Sequence, residues 1–327
     1  MQDPNFGKDI LNGIKRIPER YIFVSEMGGE KYIIEAFDQP FVAQQVHKNS
    51  NEDWEIELPY GIRKKLNLSQ LTVDEWDRFH GRTSEDIPYV LSRKAQNEFF
   101  NLVSEFDDDG FSIGDETYTV SSYYPSRDDV RKNNFWSKIY KETENKPGWD
   151  MNGPNPILKH IIPQLKIPKS RILVVGCGRG HDAHYLAQRG NVVTAIDFSE
   201  EAIKEAKRLY PESENLKFLQ ADVFNLPEKY FAYFDIVFEH TLFCAVDPVK
   251  RNDLVKVYKS MLADHGHLLG IFFTIDNMNH PPFGGTEWEY RERLKKYFNF
   301  LYWTKWKAET TRSAGTELII YAKKISQ

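Results

Sequence analysis

The alternation of apolar and polar positions changes character near residue 130. From there on, short apolar runs rich in β-branched residues alternate with stretches whose apolar residues recur every three or four positions, the patterns of buried strands and of amphipathic helices. The segments "RILVV", "NVVTAID", "LKFLQAD", "YFDIVFEH" and "GHLLGIFFT" read as strands, while "SEEAIKEAKRLY", with Ser199 as its N-cap, and "DPVKRNDLVKVYKSML" read as helices. Such a rhythm predicts parallel strands joined by helical crossovers. It breaks at the end. After the helix "EWEYRERLKKYF", the strands "FLYWTKWKAET" and "TELIIYAKK" are separated only by "TRSAG", so a terminal hairpin inserts one antiparallel strand into the sheet.

Upstream the pattern is shorter in period. "YIFVSEMGGEKYIIEAF" and "FSIGDETYTV" set β-rich halves about Gly28-Gly29 and Gly114-Asp115 and predict hairpins. Between them, Thr72-x-x-Glu75 has the form of a capping box ahead of Trp76 and Phe79. "SRKAQNEFFNLVSEF" aligns Ala95, Phe99, Leu102, Val103 and Phe106 on one helical face. The expected organisation is a small α+β domain over 1–120, a polar, proline-interrupted linker over 121–132, and an α/β domain over 133–327. Glu105, Asp107, Asp109, Gly110 and Glu116 fall on the spacing of a calcium-binding loop, but a strand pattern follows where that motif needs a helix. We read it as an acidic turn.

Composition narrows the classes. The 327 residues are 41% hydrophobic and 14% aromatic, enough to fill two cores. A formal charge of −5 argues against a general nucleic-acid binder, because no large basic field is available to replace counterions on phosphates. No apolar run approaches the roughly 20 residues that span a bilayer, and "MQDPNFGKDILNGIKRIPER" lacks the apolar core of a signal peptide. A cytoplasmic location is expected. The two cysteines, Cys177 and Cys244, offer neither a disulfide framework nor a zinc spacing, and no metal is expected.

Candidate chemistry starts in "RILVVGCGRGHDAHYLAQRG", where Gly176, Gly178 and Gly180 sit between the first strand and a helix. A dinucleotide fingerprint needs its third glycine one residue later, at a helix start that receives a pyrophosphate. His181 stands there instead. A loop of this kind suits a nucleoside without phosphates, and S-adenosylmethionine is the common one. The loop residues Gly176, Cys177, Gly178 and Gly180 are therefore candidate cofactor contacts.

Ligands of such sheets bind at the carboxyl ends of the strands. Asp197 ends the second strand, where a carboxylate accepts from ribose hydroxyls, and Asp222 with Val223 ends the third, where an acceptor and an apolar face suit adenine. Glu239 and His240 end the fourth and are likewise candidate cofactor contacts.

Four segments carry a family resemblance: "FWSKIYKETENKPGWDMNGPNP", "GCGRGHD", "FEHTLFCAVDP" and "HPPFG". Over about residues 133–327 the chain resembles the thiopurine, thiol and halide methyltransferases, a branch of the class I S-adenosylmethionine-dependent enzymes. The resemblance implies a Rossmann-like sheet ending in an antiparallel hairpin. It also implies cofactor contacts from Trp136, Trp149, Gly176, Gly178, Asp197, Phe198, Asp222, Val223 and His240. Arg312 aligns loosely with a basic residue on the acceptor side in relatives, and the resemblance makes it a candidate clamp for an anionic acceptor.

Methyl transfer from a sulfonium destroys positive charge, so a water-excluded apolar cage favours the transition state. Trp136, Tyr140, Trp149, Phe243 and Phe283 are the candidate cage, and Cys244 is a candidate packing residue of the pocket wall. His240 has two open roles: a base for a thiol, or a hydrogen-bonding partner of the cofactor. The expected activity is transfer of a methyl group to a small soft nucleophile such as a thiol, thiopurine, halide or hydrosulfide. Two alternatives stay open, a protein or nucleic-acid methyltransferase that uses the N-terminal domain for recognition and a non-catalytic S-adenosylmethionine-binding protein.

Overall fold

The computed structural model describes residues 15–17, 22–27, 30–34, 41–74, 78–106, 110–122, 128–143, 147–275, 281–306 and 316–325. The chain divides into two compact units, one running to Pro125 with Thr286–Trp288, the other comprising Ser126–Gly285 and Glu289–Gln327.

The first unit is built mainly of small sheets. Ile22–Met27 pairs antiparallel with Glu30–Ile34, and Gly110–Ile113 pairs antiparallel with Glu116–Thr119, as the two hairpin patterns predict. The turn at Gly28-Gly29 lies outside the described residues. Gly114 in the second turn has φ +61°, a conformation that glycine adopts without penalty. A helix, Arg93–Phe100, starts where Ser92 accepts a hydrogen bond from the Ala95 N–H at 3.0 Å. It is shorter than the expected 92–106, because Ser104 N–H donates to the Ser112 carbonyl and Glu105–Phe106 joins a strand pair. A buried cluster including Ile56, Leu71, Phe79, Tyr89, Phe99 and Phe111 forms its core.

The capping-box expectation at Thr72 is corrected. Thr72–Val73 and Phe79–Arg82 are antiparallel strand partners, and Glu75 and Trp76 lie outside the described residues. The buried Asp74 carboxylate accepts from Arg78 Nε and the Arg78 backbone N–H and lies 2.7 Å from His80 Nε2. Thr72 and Phe79 stand in facing strands, so neither takes the helical place that the pattern gave it.

The second unit contains one seven-stranded sheet. We number its strands β1 (Arg171–Val175), β2 (Val192–Asp197), β3 (Leu216–Gln220), β4 (Phe234–His240), β5 (Leu262–Phe273), β6 (Phe298–Lys305) and β7 (Glu317–Lys324). Their order in space is β3-β2-β1-β4-β5-β7-β6. The first five are parallel to one another, whereas β7 is antiparallel to both β5 and β6. Among the described residues six helices accompany them: α1 (Asn133–Glu142), α2 (Pro156–Leu165), α3 (His181–Gln188), α4 (Glu200–Leu209), α5 (Arg251–Met261) and α6 (Glu287–Leu294).

Two separate buried clusters, one around Leu173, Val175, Leu254 and Leu268 and one around Ile172, Val174, Leu186 and Phe218, take alternate residues of β1. That is why β1 reads as an unbroken apolar run. At the start of the central strands, Arg171 and Asp235 form a two-point pair, Nη2 to Oδ1 at 2.7 Å and Nε to Oδ2 at 3.1 Å. Among the described residues no helix is long and apolar enough to cross a membrane.

The glycine loop is fixed by conformation as much as by contact. Gly180 has φ +80°, and a Cβ there would stand 2.7 Å from the Phe218 ring. We therefore expect Gly180→Ala to cost about 2–4 kcal/mol, combining the left-handed penalty with overpacking. Urea denaturation followed by a probe in the second unit measures it, and a loss under about 0.5 kcal/mol contradicts the packing described.

Candidate active site

The carboxyl ends of β1, β2, β3 and β4 open onto a cavity of about 940 Å³. Gly176, Asp197, Phe198, Asp222 and Val223 line it from the strand ends, and Trp136, Tyr140 and Trp149 line it from α1 and the segment that follows. Cys244, Pro281 and Pro282 are also in its wall. A smaller neighbouring cavity, about 60 Å³, is lined by Gly176, Cys177, Gly178, Arg179, Asp150, Asn155, Asp182 and His240, among others.

Gly176 and Gly178 adopt φ +60° and +50°. A Cβ on either would come within 2.9 Å of another side chain, Leu242 for Gly176 and the Tyr140 hydroxyl for Gly178, so neighbours occupy the space that a side chain would need. Gly178 N–H donates to Asp197 Oδ2 at 2.8 Å, and Ser199 N–H donates to Oδ1 at 2.8 Å. Burial pushes the Asp197 carboxyl up to about 6, against backbone donors that favour its charged form. Asp222 accepts from the Phe224 N–H at 2.9 Å.

The aromatic residues form a connected wall. Trp136 and Tyr140 each lie 6.1 Å from Trp149, ring centre to ring centre, in edge-on arrangements, and Trp136 Nε1 donates to the Val130 carbonyl at 2.9 Å. Trp149 is 41% exposed, whereas Tyr140 is buried. Burial raises the Tyr140 hydroxyl and the Cys177 and Cys244 thiols above their ordinary values, so neither cysteine is an activated nucleophile.

His240 lines the smaller cavity, and both of its ring nitrogens face protein groups. Nδ1 lies 3.0 Å from Asp182 Oδ2, and the Asn155 amide nitrogen lies 2.8 Å from Nε2. The amide donates to Nε2, leaving the ring proton on Nδ1 toward Asp182. Asp182 Oδ1 also accepts from Asn155 N–H at 2.7 Å, closing a ring of three residues. Burial alone would lower the imidazole's proton affinity, but the Asp182 carboxylate leaves it raised. The next residue, Thr241, has φ +67°, a strained backbone for a β-branched side chain at the strand tip.

Other sequence candidates fall elsewhere. Phe243 and Phe283 are 1% and 0% exposed and line neither cavity; Phe243 packs edge-on against Phe272 and Tyr290 at 5.3 Å each. Gly180 also lines neither and packs against Phe218. Glu239 is buried behind the wall, where Oε2 accepts from Phe243 N–H at 2.9 Å. Arg312 lies outside the described residues. Asp150, Asn155, Arg179 and Asp182 were not singled out in the sequence. Asp150 pairs with Arg179 Nη1 at 2.5 Å and lies 3.1 Å from His181 Nε2, which holds the segment after Trp149 against the glycine loop. The signal for Asp150 was its place directly after Trp149 in the entry segment.

The strand order, the antiparallel seventh strand and the glycine loop at the end of β1 define the class I methyltransferase architecture. The 1,6-didemethyltoxoflavin-N1-methyltransferase of Burkholderia thailandensis has a similar fold, with a TM-score of 0.50 at 19% identity over 68% of this chain and 99% of that one. The family model described as thiopurine S-methyltransferase matches residues 131–317, and the chain belongs to that family. It is 32% identical over 152 residues to thiocyanate methyltransferase 1 of Arabidopsis thaliana, covering 45% of this chain and 65% of that protein. It is 28% identical over 176 residues to thiopurine S-methyltransferase of Aliivibrio salmonicida (strain LFI1238), covering 48% and 80%. The chain thus spans slightly less than two thirds of the plant relative.

Burial pushes the Glu239 carboxyl up to about 7. The folded chain then keeps a proton that the unfolded chain releases from about pH 4.5 upward, so this group's contribution to stability falls as pH rises through the window from about 4.5 to 7. Glutamine keeps an acceptor for Phe243 N–H and removes the titration. Glu239→Gln should therefore gain on the order of 3 kcal/mol relative to the parent between pH 4 and pH 8, read from urea midpoints at both values. A mutational difference independent of pH refutes the assignment.

Proposed function

We propose that the chain is an S-adenosylmethionine-dependent methyltransferase acting on a small soft nucleophile: a thiol, thiopurine, halide, thiocyanate or hydrosulfide. The observation that carries this reading is the large cavity, which joins the glycine loop, two strand-end carboxylates and a largely apolar wall in one space. Family membership and relatives named for thiocyanate and thiopurine methylation support it. The net charge and two free thiols suit a reducing cytoplasm.

The residues fit the cofactor. A glycine at 178 leaves its N–H held to Asp197 with no side chain over the loop, and each Asp197 oxygen keeps a lone pair beyond its one backbone bond, suited to ribose hydroxyls. Asp222 and Val223 offer an acceptor and an apolar face for the base. When bound, S-adenosylmethionine supplies a methyl group on a sulfonium. Trp136, Tyr140 and Trp149 exclude water around an incoming nucleophile and align it, the two contributions such a displacement needs from a protein. His240, with both nitrogens engaged by Asp182 and Asn155, acts by holding the tip of β4 rather than by taking a proton.

Cofactor binding is testable alone. S-Adenosylmethionine and S-adenosylhomocysteine should raise the thermal midpoint and NAD should not; a shift with NAD only would sink the reading. Asp197→Ala should weaken S-adenosylhomocysteine binding about ten- to a hundredfold while leaving turnover at saturation much less affected.

The role of His240 separates by acceptor. In His240→Gln at saturating cofactor, iodide and a thiol with a pKa of about 8.5 should lose rate equally. Loss confined to the thiol, together with disappearance from its pH profile of an ionisation raised above the ordinary imidazole value, would make His240 the base after all. Binding without turnover on iodide, hydrosulfide, thiophenol or a thiopurine would favour a non-catalytic binding protein.

A further inference from the structure

Beneath the cavity wall lies a charge cluster that the proposed chemistry does not use. Arg251, on the first turn of α5, is 0% exposed. Its Nη1 donates to Glu289 Oε1 at 3.0 Å and to the Gly284 carbonyl at 2.8 Å, and its Nη2 reaches the Phe283 carbonyl at 3.3 Å. Glu289 is shared with Arg293, whose Nε lies 2.7 Å from Oε1. The guanidinium also lies 5.0 Å from the centre of the Phe243 ring.

These contacts converge on one short loop. Pro281 and Pro282 line the large cavity, and the two residues after them are those whose carbonyls Arg251 holds. Phe283 N–H donates to the Cys244 carbonyl at 2.6 Å and Gly285 N–H to the Ile275 carbonyl at 3.1 Å. Cys244 lines the same cavity. Thus one buried fork grips the loop from below while its neighbour in the wall grips it from the side. A buried charge persists where its bonds are well made, since removing its partner leaves the other uncompensated. Glu289 supplies that compensation at Nη1, and Nη1 and Nη2 also reach the loop carbonyls, while Nε makes no hydrogen bond among the described residues.

We propose that Arg251 is the positioning residue for the acceptor side of the site: by fixing the carbonyls of Phe283 and Gly284 it sets where Pro281 and Pro282 stand against a bound methyl acceptor. It touches no reacting atom, and the cofactor candidates on β1, β2 and β3 make none of its bonds. The inference rests on the methyltransferase reading for its kinetic arm only. Lysine at this position keeps the charge beside Glu289 but lacks the fork.

The test compares wild type, Arg251→Lys and Arg251→Met in the full chain. Hydrogen exchange of peptides covering 281–285 should quicken about tenfold or more in both variants, while peptides covering 171–180 stay within about twofold. The dissociation constant for S-adenosylhomocysteine should stay within about threefold, while KM for thiophenol rises about tenfold or more and recovers partly in the lysine variant relative to methionine. If Arg251→Met does not fold, the lysine variant decides. Exchange over 281–285 unchanged in Arg251→Lys overturns the proposal, as does a parallel rise in the cofactor constant and the acceptor KM. A wild-type protein that methylates no acceptor defeats the functional reading instead, and the exchange result still decides whether Arg251 fixes the loop.

Discussion

A backbone that passes through the left-handed region at Gly176, Gly178 and Gly180 sets the terms for everything around it. The turn is possible only without side chains, and the space so released is taken by Leu242, Tyr140 and Phe218, which come from the end of β4, from α1 and from β3. Three elements distant in sequence therefore close on one loop. The loop's N–H groups are spent sideways as well, Cys177 on the Ile196 carbonyl and Gly178 on Asp197. The tip of β1 is thereby tied to the tip of β2, and the Asp197 carboxylate is oriented before any ligand arrives.

Above this frame the cavity wall is largely apolar with a few charged groups, and behind it the supports are polar. Trp136, Tyr140 and Trp149 form an aromatic wall, whereas behind it Glu239 and Arg251 bond to the backbone of the β4 turn and the Pro-Pro-Phe-Gly loop, and Glu289 is paired with Arg251. Each buried charge is costly unless its bonds are made. Placing those costs behind the wall fixes its shape without adding Arg251 or Glu289 to the charged groups that already line the cavity, among them Arg131, Asp197 and Asp222.

Much of the second unit was legible because its physics is local. A strand buried on both faces must be apolar throughout, and a helix on its surface must repeat at 3.6 residues, so the sheet, its crossovers and its final hairpin could be read from spacing. Strand ends follow from strands, and Asp197, Asp222 and Val223 line the cavity where the strands end. What spacing cannot give is the side of a turn on which a ring falls, and Phe243 and Phe283 point into the core instead. Nor can it show polar groups that meet only after folding: Asn155 and His240 are 85 positions apart, and Asp150 and Arg179 are 29 apart. In the first unit the capping pattern at Thr72 gave way to strand pairing, in which Thr72 and Val73 face His80 and Phe79.

The place of β7 has a consequence for how the sheet is assembled. It follows β6 in the chain yet lies between β5 and β6, pairing antiparallel with each. Strand β6 at the sheet edge is therefore joined to the rest only through a strand that the ribosome makes later. Until that strand docks, β5 presents an open edge of unpaired backbone groups, and Leu318 and Ile320, later buried in the core, stay in water. Completion of the fold is thus a late, non-local event, and the interval before it is when the chain is most exposed to mispairing with other strands.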